Sequence, residues 1–317
     1  TGNDTLRGST GSDTYLFNVG DGQDTIAEFD PNNSGIDVLQ FGAGIAPSDV
    51  SVVRNGVNAI FQVNGSSDQV TVQGWLGAAD QAGQLEQVKF ADGTTWTKDQ
   101  LDAQLLNVQG TAGNDTLMGV YTYAETLHGN AGNDHLTAYG NNDTLDGGAG
   151  DDTLDVLGPP NGTTFIGGAG NDTLRGSTGS DTYVFNAGDG QDTIVEFDPN
   201  NAATDVLQFG AGIAPSDVSV VRNGVGVTFK VNGSSDQVTV QGWLADAGQA
   251  GQLEQVKFAD GTTWTKDQLD AQLLNVQGTA GNDTLMGVYT YAETLHGNAG
   301  DDHLTAYGHN DTLDGGT

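Results

Sequence analysis

The chain has 317 residues, with 9 Lys or Arg against 42 Asp or Glu, for a formal net charge of −33. So acidic a chain does not attract nucleic acid or anionic membranes, and without cysteine it has neither disulfides nor thiolate metal sites. Its 49 glycines point to a turn-dense architecture, and no apolar run is long enough to span a bilayer.

Shifted by 168 residues, the chain matches itself: Asn3 falls on Asn171, Trp75 on Trp243, Glu86 on Glu254 and Asp146 on Asp314, with 17 differences over the 149 overlapping positions. A near-identical tandem duplication organises the sequence. Two textures alternate within each period. They divide the chain into nonapeptide rows over 1–16, a strand-rich domain over 17–107, central rows over 108–184, a second strand-rich domain over 185–275 and closing rows over 276–317.

The first rows, TGNDTLR and GSTGSDTYL, carry Asp4 and Asp13. The turn DGQD follows with Asp21 and Asp24, and its second copy has Asp189 and Asp192 with Glu196, Asp198 and Asp205 close behind. These four turn aspartates are candidate additional metal ligands, weighed against a solvated acidic turn. The strand-rich domains read as short alternating strands such as TYVFN, DTIVEF, DVLQF, GVTFKV and DQVTVQ, punctuated by turn signals in DPNN and VRNGV. Each closes like TKDQLDAQLL (265–274), where Thr265 is the expected N-cap with Gln268 three residues on, and Leu269 and Leu273 share a helix face. Trp75, Trp96, Trp243 and Trp264 read as core aromatics.

The central rows follow the pattern of GGAGNDTLR (167–175). Glycines permit positive φ, so a turn can aim its carbonyls at one point, and the aspartate adds a carboxylate. Carbonyl and carboxylate oxygens without His or Cys make a hard-cation set, and the flexible shell of about six to eight oxygens favours calcium over magnesium. One loop cannot complete such a shell, so the rows must stack and hold several ions between them. Few apolar side chains are buried per coil, so the rows are expected to order only with metal.

Rows beginning at 110, 129, 147 and 167 carry Asp115, Asp134, Asp152 and Asp172. The rows between them are poorer. Row 119–128 offers Glu125 without a glycine turn, row 138–146 has Asp143 with only Gly140, and row 156–166 has no acid, before Asp181 restores the pattern. The expectation is a lopsided roll: one edge with a full calcium ladder, the other shaped by packing of Tyr121, Tyr123, Phe165, Pro159 and Pro160. Equal occupancy of both edges is the alternative. The closing rows add Asp283, Asp302 and Asp311.

His128, His135, His296, His303 and His309 have no zinc-ligand spacing and read as turn or strand-end residues. Neither a nucleophile motif nor a phosphate loop is present, and each prominent Asp already has a place in a turn, so no enzyme is expected.

These rows resemble repeats-in-toxin calcium repeats, whose fold is a parallel β-roll. The intervening domain resembles the haemolysin-type calcium-binding related domain, on DTYVFNAGDGQDTIVEFD (181–198), DVLQFGAGIAPSDV (205–218), DQVTVQGWL (236–244) and LEQVKFADGTTW (253–264). The resemblance implies calcium binding and type I secretion. The fold expected is all-β: calcium-binding parallel β-roll rows alternating with compact β-rich domains, each ending in a short helix.

The function expected is a calcium-stiffened structural segment of an extracellular or cell-surface tandem-repeat protein, such as an adhesin, surface-layer or filament component. Its partners are calcium ions, with neither nucleic acid nor membrane insertion. The rivals are a C-terminal folding and secretion module of a secreted enzyme, and a glycan-binding module using Trp75 and Trp243 as platforms. Thr1 begins mid-motif, so the sequence reads as a segment of a longer protein. Joining the final GGT to the opening GNDTLR completes a row, so covalent continuation or head-to-tail self-association is expected at the ends.

Overall fold

The computed structural model describes residues 1–30, 35–77, 83–158, 162–199, 203–245 and 250–317. Pro159 and Pro160, expected on the acid-poor edge, lie outside the described residues, as do Pro31, Asn32 and Asn33 of the first DPNN turn and Asn200 and Asn201 of the second. The chain forms two units, one of residues 1–109 with 118–127 and one of residues 110–117 with 128–317.

In the second unit, successive strands alternate between two parallel sheets. One takes His135–Ala138, Thr153–Val156, Thr173–Arg175, Gln191–Val195 and Gln237–Val240 in order. The other takes Thr144–Ala149, Thr164–Ala169, Thr182–Phe185, Val206–Phe209 and Gln255–Lys257. Strands such as Thr153–Val156 and Thr182–Phe185 alternate inward and outward, because side chains on a strand have a period of two. Equivalent residues stack in register: Leu136, Leu154, Leu174, Ile194 and Val240 on one sheet, Leu145, Phe165, Tyr183, Leu207 and Val256 on the other. All ten are buried, and these two columns are the core of a parallel β-roll.

The strands after Phe185 extend the same two sheets rather than starting new ones. Among the described residues of this unit, antiparallel pairs come at the far ends, where Val218–Asn223 and Gly226–Val231 join one sheet and Thr263–Thr265 joins the other. Aromatics fill the wider core there. Phe209 stacks on Phe258 at 5.2 Å and Phe229 meets Trp243 edge-on at 6.2 Å. The helix α2, Lys266–Leu273, forms as its sequence dictates: Gln268 N donates to Thr265 Oγ1, Thr265 N donates back to Gln268 Oε1, and Leu269 and Leu273 are buried. Short parallel strands resume with Asn275–Gln277, Thr294–His296 and Thr312–Asp314.

The first unit repeats this order. Thr5–Arg7, Gln23–Ala27 and Gln69–Val72 run parallel, followed by antiparallel Asn58–Val63 and Val50–Asn55. The second sheet holds Thr14–Phe17, Val38–Phe41, Gln87–Lys89 and Thr95–Thr97, and the helix α1, Lys98–Leu105, closes it.

Two packing expectations change. Trp75 and Trp243 are 0% exposed, and their Nε1 atoms donate to Asp102 at 2.6 Å and Asp270 at 2.8 Å on the closing helices. Rings spent on the core cannot serve as glycan platforms, which removes that reading of QGWL. Phe165 packs as expected, stacked on Tyr183 at 4.9 Å, but Tyr121 is 73% exposed, in the bend before the strand Thr126–His128, whose inward position goes to Leu127.

Candidate metal centre

Along one edge of the second unit, the turn aspartates form a continuous ladder. Asp115 N donates to Asp134 Oδ1 at 2.7 Å, Asp134 N to Asp152 Oδ1 at 2.7 Å, Asp152 N to Asp172 Oδ1 at 2.8 Å and Asp172 N to Asp192 Oδ1 at 3.1 Å. Each carboxylate thus spends one oxygen on fixing the row below. The other oxygens, Oδ2 of Asp134, Asp152, Asp172 and Asp192, are buried without a hydrogen-bond partner. Orphaned buried carboxylate oxygens are costly, and four in a row at one edge point to a cation between the turns.

The glycines keep that space open. A Cβ on Gly129 would lie 2.3 Å from Asp134 Oδ2, one on Gly147 2.3 Å from Asp152 Oδ2, and one on Gly167 2.4 Å from Asp172 Oδ2. The next residue needs positive φ, taken by Gly148 and Gly168 and, in the row GNAGND, by Asn130 at 74°. Among the described residues no Lys, Arg or His pairs with a carboxylate of this ladder, and the groups facing it are oxygens, so the residues fit a hard divalent ion.

Asp192, grouped in the sequence with Asp189, is the ladder's last member. Asp189 instead caps its own turn, accepting from Asn186 N at 2.6 Å, and Asp21 does the same with Asn18 N at 2.8 Å. Asp4 N donates to Asp24 Oδ1 at 2.9 Å, the start of the equivalent ladder in the first unit. In the closing rows Asp283 N donates to Asp302 Oδ1 at 2.9 Å, and Asp302 Oδ2 is again orphaned. Asp115 and Asp283 differ in that Thr111 N and Thr279 N occupy their Oδ2 atoms.

The opposite edge is built on the same register with a gap. Asp181 N donates to Asp205 Oδ1 at 2.8 Å, Asp205 N to Glu254 Oε2 at 2.8 Å, and Thr163 N to Asp181 Oδ1 at 2.9 Å. Thr163 stands where a ladder acid would be, as the acid-free row 156–166 requires. Asp143 accepts from Gly140 N at 2.9 Å, and Glu293 N donates to Asp311 Oδ1 at 2.9 Å. In the first unit Asp13 N donates to Asp37 Oδ1 at 2.7 Å and Asp37 N to Glu86 Oε2 at 2.6 Å. Sequence reasoning missed Glu86 and Glu254, which enter through strands far along the chain. Their signal is the register of Val38 on Gln87 and Val206 on Gln255, which brings the residue before each strand to the ladder.

Burial sets the electrostatics. It pushes the carboxyls of Asp152, Asp172 and Asp192 up to about 6, 7 and 8, opposed by the N–H donors beneath them and reinforced by neighbouring carboxylates. Of these, Asp172 and Asp192 hold protons near neutrality unless a cation replaces them.

Two family models match the chain. That of the RTX calcium-binding nonapeptide repeat matches residues 1–26, 107–119, 121–154, 162–194, 275–287 and 289–317. That of the haemolysin-type calcium binding protein related domain matches residues 60–100 and 227–268. The chain is 32% identical over 120 residues to the iron-regulated protein FrpA of Neisseria meningitidis serogroup C, covering 38% of this chain and 10% of that protein. It is similar to the extracellular lipase LipA from Serratia marcescens at a TM-score of 0.28 and 19% identity, over 76% of this chain and 38% of the lipase. The chain therefore spans well under half the length of either relative.

Proposed function

From a chain built of RTX calcium-binding nonapeptide repeats and haemolysin-type related domains, which bind several calcium ions, we propose a structural segment of an extracellular tandem-repeat protein that orders on calcium after secretion. The observation that carries this reading is the unbroken Asp134–Asp152–Asp172–Asp192 ladder with its four orphaned oxygens. Those residues and the carbonyls of their glycine turns would hold the ions. Bound calcium supplies the positive charge that a chain of net charge −33 lacks.

Each coil of the roll buries two apolar columns and orders about twenty residues, so apolar burial alone does not hold it against chain entropy. Inside a cell, scarce calcium leaves the chain unfolded and exportable. Outside, sites with dissociation constants on the order of 0.1–1 mM fill and order it. The duplication favours a structural role, because equal units in series give reach; the segment performs no catalysis in this reading. Single-molecule extension tests it. In calcium, two equivalent sets of unfolding events are expected, and in chelator none; resistance to extension that is the same in chelator overturns the proposal.

A further inference from the structure

We propose that Asp181, Glu196 and Asp205, repeated as Asp13, Glu28 and Asp37, form a second kind of cation site that takes a hard ion such as calcium on side-chain carboxylates rather than on glycine-turn carbonyls. In each set, one carboxylate oxygen from every residue lies within 4.8 Å of the others. Glu196 and Asp205 fall after residue 194 and before residue 227, between the two family matches, and Glu28 and Asp37 fall between 26 and 60 in the same way.

Three observations carry the site beyond an acidic cluster. Asp181, Glu196 and Asp205 are 0%, 5% and 1% exposed, and among the described residues no Lys, Arg or His pairs with any of them. Asp205 Oδ2 is buried with no hydrogen-bond partner, and the backbone N–H groups of Thr163 and Ser177 both donate to Asp181, which holds that carboxylate in place. The oxygens also converge on a glycine: a Cβ on Gly176 would lie 2.6 Å from Glu196 Oε2 and 3.0 Å from Asp181 Oδ2. Gly8 repeats this, at 2.3 Å from Glu28 Oε2.

Three buried carboxylates without a counter-ion repel one another strongly, and a multivalent cation relieves that repulsion where a single hydrogen bond does not. The Tyr183 hydroxyl donates to Glu196 Oε2, and that of Tyr15 to Glu28 Oε2, which fixes each glutamate at its cluster and leaves further lone pairs for the ion. The same contact places a phenol ring beside the site. Tyrosine there would sensitise a lanthanide bound in place of calcium.

The test uses the full chain, loaded with calcium, gel-filtered and assayed for bound metal. Glu28→Gln/Glu196→Gln keeps side-chain volume and the tyrosine hydrogen bonds while removing one charge per site. The expected result is two fewer calcium ions per chain with an unchanged far-UV spectrum in calcium, so the turn ladder is still filled. An unchanged ion count overturns the second site and leaves the ladder reading standing. Where the double variant fails to order in calcium, Tyr15→Phe/Tyr183→Phe decides, since it retains every carboxylate. An unchanged calcium count with terbium emission excited through tyrosine reduced severalfold supports the site, and undiminished emission overturns it.

Discussion

Arg222 pairs with Glu293, a fully buried carboxylate 71 residues further on, in a row that has no glycine turn. The same guanidinium donates to the Met286 carbonyl at 3.1 Å, and Val288 N donates to Glu293. A carbonyl and a ladder-position carboxylate thus share a cation supplied by the chain. Arg54 does the same for Glu125 and the Met118 carbonyl in the first unit. A row that the sequence marks as poor in calcium ligands is closed by arginine.

Removing that arginine leaves an uncompensated buried carboxylate. Arg222→Met should therefore cost about 3 kcal/mol of stability in saturating calcium, with no change in the number of ions bound. Denaturant unfolding with parallel metal analysis checks both halves. A loss of bound calcium would mean that the guanidinium supports an ion site instead of replacing one.

Asp152→Asn keeps an oxygen for Asp134 N but removes a charge from the middle of the ladder. The calcium midpoint for ordering should rise on the order of tenfold, about 1.4 kcal/mol. A calcium titration followed by circular dichroism reads this directly. An unmoved midpoint would show that the ladder carboxylates position turns without holding metal.

Gly147→Ala places a methyl 2.3 Å from Asp152 Oδ2 and 2.6 Å from the Gly167 carbonyl. It should weaken calcium-induced ordering by about 1–3 kcal/mol. Gly113→Ala is the control, because the atom nearest its Cβ is Thr111 Oγ1 at 3.9 Å. Equal effects at the two positions would count against a cradle at Gly147.

Protons compete with calcium for the ladder. Burial raises Asp152, Asp172 and Asp192 to about 6, 7 and 8, so the ion-free ordered roll is favoured while they are protonated. That contribution is fully present below the ordinary carboxylate range and is lost as pH rises through about 6 to 8. Calcium that binds an already ordered, protonated roll displaces these protons, whereas calcium that orders an expanded chain meets carboxylates ionised above about pH 5. Calorimetry in two buffers of different ionisation enthalpy should therefore detect little proton release near pH 6.5, because the chain is expanded before calcium is added. Release of about one proton or more per chain at that pH would show that the roll is ordered without calcium.

Much of this was legible in the sequence because the nonapeptide is local. Its glycines, its Asp and its inward Leu fix turn, ladder carboxylate and core within nine residues, as the rows of Asp134 and Asp152 show. The helix after Thr265 was legible for the same reason. What was not legible depends on pairing across long stretches. Glu254 joins the ladder through parallel register with residue 206, and Arg222 reaches Glu293 through the end of a hairpin. The alternating strands of the second texture suggested a separate core, yet their parallel register continues the roll, because alternation gives a strand's buried face and not its neighbours.

The central claim is that calcium, rather than apolar burial, orders the chain. Small-angle scattering across a calcium titration starting from chelator tests it most directly. The account predicts an expanded chain in chelator that compacts cooperatively through the millimolar range at constant molecular mass. A chain already compact in chelator, with a profile that calcium leaves unchanged, would contradict it.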